Sequence, residues 1–223
     1  MKSHLNRLLV VTLLLYAART PAIEIPVGDV DAWTTLTFNK IPANEVSAED
    51  GRLRIAVRRS ASPLVYKLHG PTEVTGITVR ARWSGALQLA DGAAQGDKGS
   101  DDFVLKLGIV ESGQRTLSWL QRKVAADWIK QLFKLAPSGA GVERINFLST
   151  TQQRDLLGSE RQHPLSDLLY ETRVTHLDSP GGFTLAHEFA KPVTVLGIWI
   201  SSDGDDTQSS FQLEIESLVL HTK

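Results

Sequence analysis

Apolar and polar residues alternate with a period of two along most of the chain, and this pattern limits the fold more than any other feature. In RLRIAVR, residues 52–58, Leu53, Ile55 and Val57 fall on one face and arginines fall on the other. ITVRARW, residues 77–83, alternates in the same way, and five further segments are bounded by clusters of Gly, Pro, Ser, Asp and Asn. Such alternation predicts strands with one buried face. Short strands separated by turns predict a β-sandwich or a β-barrel.

Residues 117–135 depart from this pattern and predict a single amphipathic helix. Leu120, Val124, Trp128 and Leu132 recur at every fourth position, and a proline and a glycine follow the last of them. The apolar stripe is wider than one contact with a sheet requires. Three interpretations therefore remain: burial of the helix on two sides, a surface that binds a protein partner, or a helix lying in a membrane interface.

The amino-terminal residues 1–22 have the three parts of a secretory signal peptide. Lys2 and Arg7 provide a basic start, residues 8–18 are apolar, and small residues lead up to position 22. The apolar run is shorter than the roughly 20 residues that a membrane-spanning helix needs. We therefore expect a periplasmic or secreted protein. Residues 23–223 are expected to form a single domain, because no repeat or linker divides them.

Composition excludes several classes of partner and of site. The 24 Lys and Arg residues nearly balance the 25 Asp and Glu residues, so no overall field attracts nucleic acid or an acidic membrane. We expect no nucleic-acid partner and no membrane contact beyond the signal peptide. The sequence has no cysteine, which excludes disulfides and cysteine-ligated zinc.

Four stretches of the mature chain carry a resemblance to a known family. They are WTTLTFNKIP (residues 33–42), VRARWSG (79–85), GSDDFVLKLGIV (99–110), and YETRVTHLDSPGGFTLAHEF (170–189) followed by LGIWISSDGDDTQSSFQLEI (196–215). These stretches resemble a bacterial family of exported proteins known as a domain of unknown function. The resemblance implies export and a jelly-roll fold, and it supplies no activity. With the alternation, it predicts an all-β protein, an antiparallel β-sandwich of jelly-roll type with one inserted amphipathic helix.

Basic residues on the polar faces of several strands are candidates for ligand binding. Arg80 and Arg82 lie on one strand, Lys106 on a second and Arg173 on a third. If these faces lie on the same side of one sheet, they form a basic platform, and arginine forks suit carboxylate and sulfate groups. The leading hypothesis is a non-catalytic exported module that binds a carbohydrate or an anionic envelope polymer.

Catalysis is the second hypothesis. The chain has neither a G-x-S-x-G elbow nor an H-E-x-x-H motif. Glu171, Asp102 and Tyr170 are the candidate catalytic residues of a glycoside hydrolase or polysaccharide lyase, because such enzymes place acid and base groups across a cleft. The structural alternative is that Glu171 and Arg173, two residues apart on one strand face, pair with each other or with residues of adjacent strands. The third hypothesis is an envelope interaction protein that docks through residues 117–135.

The aspartates of WISSDGDDTQSSF, residues 199–211, raise the question of a metal site. The stretch lies between two β-patterned segments and is rich in Ser, Asp and Gly, which predicts a turn. Its spacing is not that of an EF-hand. Asp203, Asp205 and Asp206 nevertheless offer oxygen ligands that suit Ca²⁺. We expect no required cofactor and keep a structural Ca²⁺ ion at these three residues as a hypothesis.

Overall fold

A computed structural model describes residues 21–125, 127–163 and 166–223. The predicted signal peptide, residues 1–22, lies outside the described residues except for its last two. Within the described ranges, no helix is long and apolar enough to cross a membrane.

Strands make up most of the secondary structure. They are β1 Ala22–Glu24, β2 Thr34–Thr35, β3 Glu45–Glu49, β4 Arg52–Arg58, β5 Leu64–Ala86, β6 Lys106–Gly113, β7 Gly141–Thr151, β8 Glu160–Gln162, β9 Leu169–His176, β10 Gly181–Ser201 and β11 Ser210–His221. Two α-helices, α1 Trp119–Val124 and α2 Asp127–Phe133, and two 3₁₀ turns, Val30–Ala32 and Arg154–Leu156, complete the order. The strands predicted from the alternation are confirmed, with that of residues 77–83 forming part of the longer β5.

The strands follow one hydrogen-bonded order, β3-β4-β11-β5-β10-β6-β7-β9-β8, with β1 added to β11 and β2 added to β5. Strands β5 and β10 are 23 and 21 residues long and pair with each other along most of their length. Their register shifts between Glu188 and Val193 and again between Val195 and Gly197. Such irregularities bend strands. Each of the two long strands therefore has one half in one sheet and the other half in a second sheet.

Sheet I contains β1, β3, β4 and β11 with residues 76–86 of β5 and 181–188 of β10. Sheet II contains β2, β6, β7, β8 and β9 with residues 64–67 of β5 and 197–201 of β10. Leu53 and Leu213 of sheet I belong to the same buried cluster as Leu107 and Ile198 of sheet II. The sheets therefore pack face to face, and the predicted β-sandwich of jelly-roll type is confirmed.

One pair of strands departs from the predicted antiparallel arrangement. Strands β7 and β9 run parallel, and β8 then pairs with β9 in the antiparallel direction at the edge of sheet II. Parallel neighbours need a crossover connection. Here the crossover is the segment between Thr151 and Leu169, which also contains β8. This segment brings Arg161 to the outer face of sheet II, where the candidate site lies.

The prediction of a single helix over residues 117–135 was wrong, because the segment forms two short helices. Ser118 caps α1 with a reciprocal side-chain and backbone arrangement that includes Gln121. Ala125, at φ −63° and ψ 146°, has an extended backbone that ends this helix. Leu132 of α2 is fully buried against sheet II, whereas Val124 of α1 is 78% exposed. Burial therefore explains the apolar face of α2 but not that of α1. That α1 binds a protein partner remains a prediction.

Candidate functional site

The floor of the candidate site is the outer face of sheet II, which points away from the core between the sheets. Cross-strand pairing places Trp199, Gly108, Phe147 and Glu171 in one row across β10, β6, β7 and β9. The next row contains Ser201, Lys106, Ser149 and Arg173. Residues paired in this way point to the same face of a sheet. The floor is therefore apolar over β10 and β7 and charged over β6 and β9.

Gly108 leaves the space that the two aromatic rings of the floor occupy. A Cβ atom at this position would lie 2.8 Å from side-chain atoms of Phe147 and 2.9 Å from the Cβ of Trp199. The rings of Phe147 and Trp199 meet edge to face, with centroids 6.2 Å apart. Trp128, from α2, packs on the other side of Trp199 with a centroid distance of 6.1 Å. Helix α2 therefore forms an aromatic wall beside the floor.

Loops close the remaining sides and define what we name the outer pocket, a cavity of about 390 Å³. Its apolar lining includes Phe38, Ile41, Trp128, Phe147 and Trp199, and its polar lining includes Asp101, Asp102, Lys106, His163, Glu171, Ser201, Asp203, Asp205 and Asp206. Ligand-binding cavities in proteins commonly combine an apolar lining with a few polar groups, at volumes of about 300–1,000 Å³.

A network of buried charges lies at the polar end of the outer pocket. Glu171 is only 2% exposed, and its carboxylate accepts a hydrogen bond from Nε of Arg161. Nζ of Lys106 lies 3.6 Å from Oε1 of the same carboxylate, and Nη2 of Arg173 lies 3.8 Å from Oε2. Asp101 joins the network through contacts of 3.3 Å to Lys106 and 3.2 Å to Arg161. These contacts compensate charges that would otherwise be costly to bury.

The network keeps Lys106 and Asp101 ionised. Burial by itself lowers the pKa of Lys106, but the carboxylates of Asp101 and Glu171 outweigh it and raise that pKa above its ordinary value. Burial raises the pKa of Asp101, but the hydrogen bond with His163 and the charge of Lys106 bring it below the usual range. Both groups are therefore charged at neutral pH.

The aspartate loop, residues 202–209, forms the opposite edge of the outer pocket. It joins β10 to β11, so the predicted turn is confirmed. The buried carboxylate of Asp102 accepts hydrogen bonds of 2.6 Å from both the amide and the hydroxyl of Thr207. Asp206 in turn accepts hydrogen bonds from the amides of Gly99 and Asp101, at 3.1 and 3.3 Å. These reciprocal bonds hold the loop against the segment that enters β6.

Asp203 is the most perturbed acid of the site. It is 9% exposed, and the hydroxyl of Ser201 donates a 2.8 Å hydrogen bond to its Oδ1. Burial raises the pKa of Asp203 to about 7, although the charge of Lys106 opposes this shift. Burial and the neighbouring Asp102 also raise the pKa of Asp205. Ionisation of Asp203 and Asp205 is therefore costly in the folded chain.

The three candidate catalytic residues do not converge. Glu171 and Asp102 both line the outer pocket. Tyr170 precedes Glu171 on β9, so its side chain lies on the opposite face, where Arg144 stacks over its ring at 5.2 Å. Glu171 is bound by three cations, and Asp102 by Thr207 and the amide of Asp206. The predicted pairing of Glu171 with Arg173 exists within this larger network.

The condition for a basic platform is not met, because its four residues lie on different sheets. Arg80 and Arg82 are on the outer face of sheet I, where they contact Ser217 and Glu216 at 3.3 and 3.7 Å. Lys106 and Arg173 are buried on sheet II. The outer faces of a sandwich point in opposite directions. The bends in β5 and β10 decide which sheet each strand joins. Period-two alternation contains no signal for the position of these bends.

Several residues of the site were absent from the sequence-based candidates, and Arg161 and Gly108 are two of them. Arg161 makes the tightest contact to Glu171, yet it lies in the three-residue strand β8, which is too short to show alternation. Gly108 lies within an otherwise apolar strand pattern. An isolated glycine in a strand often marks close approach of another group, and this signal could have identified it.

The calcium hypothesis can be tested directly. Among residues 21–125, 127–163 and 166–223, no group of three or more His, Asp or Glu side chains forms a set that could hold a metal ion. The Asp206 carboxylate accepts hydrogen bonds from backbone amides, and the Asp203 carboxylate accepts one from the hydroxyl of Ser201. We therefore expect millimolar Ca²⁺ to leave the melting temperature unchanged relative to EDTA, with Asp205→Asn as the control. A rise with Ca²⁺ that Asp205→Asn abolishes would establish a calcium site.

Comparisons with known proteins give weak similarities to solved structures. No protein-family model and no curated protein matches this chain. A family 11 carbohydrate-binding module from Clostridium thermocellum, in complex with a β-1,3-1,4-mixed-linked tetrasaccharide, has a TM-score of 0.47 and 7% identity, over 92% of this chain and 98% of that chain. A family 29 carbohydrate-binding module has a TM-score of 0.37 and 9% identity, over 92% and 90%. The carbohydrate recognition domain of Emp47p has a TM-score of 0.35 and 11% identity, over 93% and 99%. These scores are too low to support an argument about function.

Proposed function

We propose that this chain is an exported, non-catalytic β-sandwich that binds a carbohydrate in the outer pocket. The observation that carries the proposal is the composition of this one cavity, in which aromatic rings lie next to buried carboxylates and a lysine. The signal-like residues 1–22 support a periplasmic or secreted location.

The chemistry of a sugar ring matches this composition. A pyranose presents C–H groups on its faces, which pack on aromatic rings, and hydroxyls on its rim, which both donate and accept hydrogen bonds. Trp128 is partly exposed and supplies a ring at the wall of the pocket. Asp203 and Asp205 supply acceptors, and Lys106 supplies a donor. A sugar could therefore pack its C–H face on the aromatic lining and hydrogen-bond its hydroxyls to the polar lining.

Binding without hydrolysis is favoured because the strongest acid candidates already have partners. A glycosidase needs two carboxyl groups across the scissile bond, one of them free to donate a proton. Glu171 is held by three cations, and Asp102 is held by the aspartate loop. One observation favours hydrolysis as the alternative, which is the pKa of about 7 at Asp203, since a raised pKa is typical of a general acid.

A glycan panel with two tryptophan variants tests the proposal. We expect Trp128→Ala to weaken binding of the best ligand roughly tenfold, because a wall ring is removed. Trp119→Ala is the matched control, because Trp119 is 71% exposed on α1 and does not line the outer pocket. Binding is measured by calorimetry, and released reducing ends are measured on the same samples.

Each result of the panel bears on one hypothesis. Retention of a glycan without reducing ends supports a binding module, and turnover that Asp203→Asn abolishes establishes the hydrolase instead. Equal loss of affinity in Trp128→Ala and Trp119→Ala, or no binding to any glycan, would contradict a carbohydrate site in the outer pocket. Melting temperatures of both variants show whether a loss of affinity comes from unfolding.

A further inference from the structure

We infer that the outer pocket prefers a saccharide that carries a protonated amine over one that carries a neutral acetamide or a carboxylate. This inference rests on the proposed function and specifies the class of sugar. It replaces the anionic polymer expected from the sequence, because the basic residues behind that expectation are buried in ion pairs or lie on sheet I.

The basic groups of the site are already committed to acidic partners. Lys106, Arg161 and Arg173 contact Glu171, and the first two also contact Asp101. Arg161 and Arg173 donate further hydrogen bonds to backbone carbonyls of the 95–96 segment. A uronic acid or a sulfated sugar would therefore have to displace a buried carboxylate to reach a cation, and such displacement is costly.

The remaining acidic groups of the outer pocket form no ion pair with a basic side chain of the described residues. Asp102, Asp203, Asp205 and Asp206 line the cavity, and within the described part of the chain none of them has a basic side chain within ion-pair distance. The carboxylates of Asp102, Asp203 and Asp206 accept hydrogen bonds from amides and hydroxyls instead. Clustered carboxylates repel one another unless a positive charge lies between them.

Asp203 provides an independent sign of a missing partner. Asp203 is 9% exposed and lines the outer pocket, and its Oδ1 accepts a hydrogen bond from the Ser201 hydroxyl. Its Oδ2 accepts no hydrogen bond from any described residue. Oδ2 keeps contact with solvent at the cavity, so it can accept a hydrogen bond from a donor on the ligand.

The aromatic wall favours the same class of ligand. Cations are attracted to the faces of tryptophan and phenylalanine rings, and anions are repelled by them. Trp128, Phe147 and Trp199 line the cavity that Asp203 and Asp205 also line. An amino sugar can place its ring on the aromatic wall and its ammonium group at the aspartate loop. The cavity therefore offers an amino sugar two attractive interactions, with the aromatic rings and with the aspartates, that it does not offer the carboxylate of a uronate.

Matched oligosaccharides provide the test. Chitosan oligomers carry protonated amines, chitin oligomers of the same length carry neutral acetamides, and oligogalacturonates carry carboxylates. We expect calorimetry on the full mature chain to give roughly tenfold tighter binding for chitosan than for chitin, with a strong salt dependence, and the weakest binding for oligogalacturonate. Asp205→Asn is expected to reduce the chitosan-to-chitin ratio at least roughly threefold. Asp178→Asn, at an exposed ion pair with Arg154, is the charge-matched control and keeps the ratio.

The outcomes separate this inference from the proposed function. Binding of chitin with equal or weaker binding of chitosan would support a carbohydrate site and overturn the preference for an amine. An unchanged ratio in Asp205→Asn, with its melting temperature preserved, would also overturn it, because the selectivity would then arise away from the aspartate loop. Absence of binding to all three oligomers and to the wider glycan panel would reject both proposals.

Discussion

Glu171→Gln is expected to lower the free energy of unfolding by about 3–5 kcal/mol. Glutamine keeps the size of the side chain, so the loss comes from charge and not from a cavity. In the folded chain Glu171 is 2% exposed and its carboxylate lies within 3.8 Å of Lys106 and Arg173, with Arg161 bonded to it as well. Without its negative charge, Asp101 still contacts Lys106 and Arg161, whereas Arg173 loses its ion-pair contact with a carboxylate among the described residues.

Urea denaturation followed by tryptophan fluorescence measures this effect. Asp178→Asn serves as the control, because Asp178 and its partner Arg154 are each 72% exposed and exposed ion pairs contribute little. Asp101 is a less buried member of the same network, so the loss of unfolding free energy in Asp101→Asn is expected to lie between those of Glu171→Gln and Asp178→Asn. If Glu171→Gln is as stable as the control, the network does not contribute to folding, and a catalytic role for Glu171 regains support.

Local patterns in the sequence predicted the strands but not the way in which they combine. Alternation identified residues 52–58 and 77–83 correctly. It could not show that β5 and β10 bend from one sheet to the other, because each bend depends on cross-strand register. Arg80 and Lys106 were therefore grouped as candidates for one basic surface, although they lie on outer faces that point apart.

The helix shows a second limit of such patterns. The sequence between α1 and α2 contains neither glycine nor proline, so nothing in it predicts the extended backbone at Ala125. A four-residue period continues through both helices, but Leu132 is buried and Val124 is exposed. Periodicity identifies residues that share a face of a helix, and only tertiary packing decides whether that face is covered.

Predictions for the candidate site succeeded where the chemistry was local. Glu171 and Arg173 were expected to pair because they lie two apart on one strand, and they do lie in the same network. The more direct partner, Arg161, comes from another strand at the edge of sheet II. Likewise, the aspartate loop was recognised as a turn, but its attachment through Asp102 links positions 105 residues apart in sequence.

Asp203→Asn is expected to stabilise the protein at alkaline pH by about 2–4 kcal/mol. Burial raises the pKa of Asp203 from its ordinary 3.8 to about 7 in the folded chain. Between these values the folded state holds a proton that the unfolded state has lost, so stability falls as the pH rises from about 4 to 7. Above pH 7 the full cost of the buried charge is present. Asparagine removes this cost and still offers an oxygen to Ser201.

The sign of this effect distinguishes Asp203 from its neighbour in the same loop. Unfolding free energies of Asp203→Asn and wild type should coincide near pH 4 and diverge up to pH 8, with the variant more stable. Asp206→Asn should be less stable than wild type, because the Asp206 carboxylate accepts hydrogen bonds from the amides of Gly99 and Asp101. A destabilised Asp203→Asn at pH 8 would mean that the Asp203 charge is satisfied in the folded protein, by Lys106 or by a bound cation. That outcome would support the calcium hypothesis. It would also mean that Oδ2 of Asp203 is not available to the ammonium group of an amino sugar.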